Sequence, residues 1–102
     1  MSLDKKYVKS RSVCKVKFIA PEEIAKQAKK VYLAGDFNNW DYEDTQLKKQ
    51  KNGTYAATVE LDAGAEYQYR YVLDGERWEN DFEADKYVPS NVCAAENSVV
   101  VV

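Results

Sequence analysis

No histidine occurs anywhere in this chain. Its absence removes the side chain most suited to proton transfer near neutral pH, the base that a serine or cysteine nucleophile needs, and the commonest transition-metal ligand. Cysteine is nearly absent too: Cys14 and Cys93 are the 2 in 102 residues, and neither belongs to the Cys-x-x-Cys pair of a zinc or redox site. Reduced, buried thiols are the expectation, although first and last strands lying side by side would bring the two within reach of a bridge. There is no excess of positive charge, since 15 basic residues face 17 acidic ones and the signs are interspersed. Such a surface has no basic stripe for phosphates or an anionic bilayer, which argues against nucleic-acid and membrane partners. No apolar run approaches the roughly 18 to 20 residues that span a membrane, and residues 1–9 are charged, with no signal-peptide apolar segment. A cytoplasmic protein is the expectation.

A chain of 102 residues makes one domain, with no room for a catalytic barrel of roughly 250 residues. Carboxylate pairs of the glycosidase kind remain chemically open, but 17 acidic residues on a small domain produce neighbouring carboxylates by chance. Asp81, Glu83 and Asp85 alternate as calcium ligands do in some loops. The glycine and spacing of an EF-hand are missing, and the three read as solvated charge. No metal or other cofactor is expected, and no catalytic residue.

What is present is alternation. Cys14, Val16 and Phe18 alternate with Lys15 and Lys17, a half-buried strand. Pro21 and the acids after it read as a short helical turn. Residues 31–36 form a further strand, where Gly35 permits a turn or a close approach, and the loop after it ends on Trp40. A weak strand near residues 45–49 leads to Asn52-Gly53, a hairpin signal because both positions tolerate positive φ. Tyr55, Ala57, Val59 and Leu61 share one face of the returning strand. Tyr67, Tyr69, Tyr71 and Leu73 share a face of the next, and a one-sided aromatic row points to the core rather than to a stacking platform for bases. Asp74-Gly75 turns the chain into a short extended piece at residues 77–79. Residues 81–96 read as an irregular polar stretch wrapping an edge. Residues 98–102 read as the closing strand, and its unbroken valines imply burial on both faces or pairing in mid-sheet. About seven short strands in this space predict an all-β, immunoglobulin-like antiparallel sandwich over residues 13–102, with residues 1–12 as an N-terminal extension.

The run Val31-Tyr-Leu-Ala-Gly-Asp-Phe-Asn-Asn-Trp40, the run Glu66-Tyr-Gln-Tyr-Arg-Tyr-Val-Leu-Asp-Gly75, then Trp78 and Glu96-Asn-Ser-Val-Val together resemble the early-set glycogen-binding modules. These are the carbohydrate-binding modules of family forty-eight, found at the start of glycogen-branching and debranching enzymes and in the β subunit of AMP-activated protein kinase. The resemblance runs from Val13 onward. It implies that Trp40 and Trp78 stack on an α-glucan and that Arg70, on the tyrosine-rich strand, contacts it through polar groups. Gln68 and Asn80 lie near the same face as further candidates. In the family's last loop an aliphatic residue, a threonine and an asparagine contribute, where this chain has Val92, Ala94 and Glu96, so two hydrogen-bonding positions are altered.

The expected function is therefore non-catalytic binding of α-1,4-linked glucan by a monomer, with carbohydrate contacts from Trp40, Arg70, Trp78, Gln68, Asn80, Val92 and Glu96. If ~100 Å² of each indole is covered, stacking contributes on the order of 2 to 3 kcal/mol per ring. Association costs offset part of that and leave roughly millimolar to micromolar binding. The competing expectation is an interaction module of a glucan-metabolising enzyme that has lost sugar affinity through its altered last loop.

Overall fold

The computed structural model describes residues 3–20, 26, 28–51, 53–81, 84–89 and 96–102. The described residues form two antiparallel sheets. Leu3–Val8 (β1), Val13–Ala20 (β2), Lys48–Lys49 (β5) and Tyr55–Asp62 (β6) make the first, in the order β1-β2-β6-β5. The second holds Val31–Gly35 (β3), Thr45–Gln46 (β4), Glu66–Leu73 (β7), Arg77–Glu79 (β8), Lys86–Pro89 (β9) and Glu96–Val101 (β10). Its order is β4-β3-β7-β10-β9, and β8 pairs with β7. The sandwich is immunoglobulin-like, as the strand spacing predicts.

The alternating faces meet in the core. Cys14, Val16, Phe18 and Leu61 come from the first sheet, and Leu33, Tyr69, Tyr71, Leu73 and Val100 from the second. Phe18 packs edge-on against Tyr69, with ring centroids 5.0 Å apart and planes at 71°. Strand β7 is the spine of its sheet: β3 bonds one edge, and β8 and β10 share the other. The terminal valines lie in mid-sheet, β10 being flanked by β7 and β9.

Four stretches differ from the sequence reading. Residues 3–8, within the expected extension, form β1, paired with β2 from Leu3↔Phe18 to Val8↔Val13. Strand β1 is clasped to the far sheet where Lys5 Nζ meets Asp85 Oδ2 at 2.6 Å. The weak strand near residue 47 divides between the sheets. Leu47 is buried, its amide bonded to the Val31 carbonyl at 2.8 Å, so β4 joins one sheet and β5 the other. The polar stretch after Asp81 contains β9, an edge strand that ends on Pro89, where a missing N–H costs no ladder bond. Asp81 itself is fully buried, not solvated. Its Oδ2 accepts from the Tyr69 and Tyr71 hydroxyls at 2.7 and 3.4 Å, and its amide donates to Ser98 Oγ at 2.8 Å, which supplies the partners a buried carboxylate requires.

Gly53 takes φ +87° in the turn joining β5 to β6; Asn52 lies outside the described residues, as do Glu83, Cys93 and most of the expected helical turn after Pro21. Cys14 is a buried free thiol whose pKa burial pushes up.

Candidate functional site

The loop after β3 is held in three ways. Phe37 turns inward, its ring centroid 5.5 Å from that of Phe18 and 6.4 Å from that of Tyr67. Asn38 closes the turn: its Oδ1 accepts from the Gly35 amide at 3.0 Å and its Nδ2 donates to the Leu33 carbonyl at 2.8 Å. The chain then passes through left-handed backbone at both Asn39 (φ 56°) and Trp40 (φ 58°). Asparagine tolerates this region, whereas an indole-bearing residue is unusual there and stores backbone strain of order 1 to 3 kcal/mol. Strained residues concentrate at binding sites, so Trp40 stands out by conformation as well as by type.

Gly35 is where the loop meets β7. Its φ of −171° is ordinary extended backbone, so turning is not why glycine stands here. A Cβ added at this position would lie 2.6 Å from the Gln68 carbonyl oxygen and 2.8 Å from the Phe37 ring. Close approach of the two strands is the reason.

Asp36, which the sequence places only at the end of a strand, joins the parts. Its Oδ1 accepts from Trp40 Nε1 at 3.0 Å and its Oδ2 from the Gln68 amide at 2.8 Å. One carboxylate thus orients the indole and ties the loop to β7.

On β7, directly opposed residues of neighbouring strands project to the same side. Trp78 opposes Val72, and Ala34 opposes Arg70. Trp78 therefore shares the outward side with Arg70 and Gln68, opposite the tyrosine row. The two indoles come together there: Trp40 and Trp78 have ring centroids 6.5 Å apart with planes inclined by 32°. Trp78 is 40% exposed, and Trp40 is half-buried. A third ring joins them that the sequence reading missed. Tyr42, 39% exposed, packs on Trp78 with centroids 6.2 Å apart and planes at 67°. A loop aromatic outside any periodic run carries no signal of its own; its place two residues past Trp40 is the only pointer.

The polar candidates are engaged with one another. Arg70 donates to the Glu96 carbonyl at 2.8 Å, and Asn80 Nδ2 donates to the same oxygen at 2.6 Å. Asn80 Oδ1 accepts from the amide and hydroxyl of Ser98 at 3.0 and 2.9 Å. Gln68 Oε1 accepts from Asn97 Nδ2 at 2.9 Å. Asn80 thus anchors β8 to the start of β10, and Arg70 reaches the same strand end. Glu96 is exposed at that end. Val92 and Ala94 lie outside the described residues.

Among the described residues no group of three His, Cys, Asp or Glu side chains is arranged to hold a metal. A polar trough of about 570 Å³ between β4 and strands of the first sheet, lined by Lys17, Asp44, Gln46, Lys48 and Thr58 among others, has no aromatic wall. The aromatic cluster is the feature suited to an uncharged ligand with an apolar face.

Two comparisons bear on kinship. Residues 15–88 match the profile of carbohydrate-binding module 48, the isoamylase N-terminal domain. An amylopullulanase of Thermoanaerobacterium thermosulfurigenes is 36% identical over 74 residues, which are 71% of this chain and 4% of that much longer protein. With most of its length matched and its sheets arranged as described, the chain belongs to carbohydrate-binding module family 48.

Proposed function

We propose that this chain binds α-1,4-linked glucan without catalysing its cleavage, using Trp40 and Trp78 as stacking surfaces. The observation that carries the reading is the indole pair, in mutual contact on the outward side of β7, with Trp40 pinned by Asp36 despite its strained backbone. A packing role alone gives no reason to retain strain in an exposed loop.

The angle between the rings supports an α-linked chain. Planes inclined by 32° do not form one flat shelf. A ribbon-like β-linked glucan would lie well on one ring and poorly on the other, whereas an α-1,4 chain winds and presents successive sugars at changing angles. Centroids 6.5 Å apart also leave too little space for a sugar between the rings, so the glucan rests across them. Arg70 lies on the same outward side of β7, where it donates to the Glu96 carbonyl.

The non-catalytic part of the reading rests on chemistry. The chain has no histidine, and Asp81, the buried carboxylate, is enclosed by tyrosine hydroxyls rather than facing a ligand.

Titration with maltoheptaose, followed by tryptophan emission and by amide NMR shifts, tests the proposal. Saturable binding in the millimolar to micromolar range is expected, weakened about tenfold or more by Trp40→Ala and by Trp78→Ala, with the fold intact. No response at millimolar sugar would reject the reading in favour of a module that contacts a protein.

A further inference from the structure

We propose that Tyr42 is a third contact for the glucan, so that the site is filled by a chain of three or more glucose units rather than by a disaccharide. This rests on the glucan reading above.

Tyr42 does not serve the core: it is 39% exposed and belongs to neither sheet. Its ring lies over the turn after β7, where a Cβ on Gly75 would come within 3.8 Å of Tyr42 Cε2, an ordinary packing distance. The phenol thus spans from its own loop to the turn that leads into β8 and Trp78. Trp40 and Tyr42 each contact Trp78, and among the described residues no ring contact joins them to each other. Trp78 is therefore the ring that the other two share.

At the two contacts with Trp78 the planes are inclined by 32° for Trp40 and 67° for Tyr42. A single pyranose covers one such ring. A chain laid on Trp40 and Trp78 meets the steeper phenol wall next, and a winding α-linked chain follows such a turn where a straight one would leave the surface. Two of the three rings are exposed, Tyr42 at 39% and Trp78 at 40%, and adjoining exposed aromatics of this kind mark binding surfaces.

The test is a ladder of maltose, maltotriose, maltotetraose and maltoheptaose, titrated by NMR shifts into the wild-type chain, Tyr42→Ala and Tyr42→Phe. Wild-type affinity should climb beyond maltose. Tyr42→Ala should lose about fivefold to tenfold on the longer chains and much less on maltose, while Tyr42→Phe keeps the wild-type ladder. An equal loss at every length would mean that Tyr42 only braces Trp78, and no loss would mean that it has no part in binding; either result overturns the proposal. A wild-type chain blind to every oligosaccharide would overturn the glucan reading itself, and this one with it. Wild-type tyrosine and tryptophan near-ultraviolet dichroism apart from the deleted ring confirms that Tyr42→Ala is folded.

Discussion

Asp36 illustrates how much the aromatic cluster depends on a side chain that is not one of its rings. Its two oxygens hold different things, an indole N–H and a backbone amide of the next strand. Asp36→Ala frees the Trp40 rotamer and leaves the Gln68 amide to find water, at a cost of about 1 to 2 kcal/mol in stability. Maltoheptaose affinity is expected to fall about threefold to tenfold, through lost preorganisation rather than a lost sugar contact. Asp36→Asn keeps one acceptor and should recover part of both. Paired denaturant and sugar titrations on the two variants check this. Equal binding by Asp36→Ala and wild type would mean that Trp40 is oriented by Trp78 alone.

At the scale of elements, the loop and its strand behave as one unit because Gly35 lets β3 press against β7. Gly35→Ala drives a methyl into the Gln68 carbonyl and the Phe37 ring. Overpacking of this kind costs about 1 to 3 kcal/mol, or roughly 4 to 8 °C in Tm for each kcal/mol in a domain of this size. Calorimetry measures the loss, and sugar affinity should fall with it, since the displaced atoms form the foot of the loop. An unchanged Tm would mean that the strands have slack there. The same scale separates what the sequence discloses from what it hides. Strands β2, β6 and β7 announce themselves through period-two faces. Strand β1 does not, because Asp4, Lys5 and Lys6 interrupt any apolar face, and its place depends on partners supplied by β2 and Asp85. The burial of Asp81 is equally hidden, since only the fold brings Tyr69, Tyr71 and Ser98 around it. The indoles are legible as a pair through the family's spacing. Tyr42 and the bridging role of Asp36 are not, since both arise from contacts between residues on different loops and strands.

For the molecule as a whole, the buried tyrosines predict an alkaline limit. Desolvation foremost, then the neighbouring Asp81 carboxylate, raises the pKa of both Tyr69 and Tyr71 well above the ordinary tyrosine value. Unfolded tyrosines release their protons near pH 10. Below that pH both states are protonated and the stabilisation is complete. Above it the unfolded chain ionises while the native one does not, so stability declines by about 1.4 kcal/mol per pH unit for each tyrosine. Denaturant melts between pH 8 and 11 should decline gently at first, as the thiol of Cys14 ionises in the unfolded chain at about pH 8.5 but not in the folded one, then more steeply above about pH 10, and Tyr71→Phe should lessen the steeper fall. A profile with no break near pH 10 would contradict the burial of these hydroxyls.

Both tryptophans of the chain belong to the outward cluster, while Tyr69 and Tyr71 lie in the interior. Excitation at the red edge of the absorption band therefore illuminates the outward cluster and leaves the interior dark. The molecule carries a built-in optical label, and loosening of that surface becomes separable from global melting without attaching any dye.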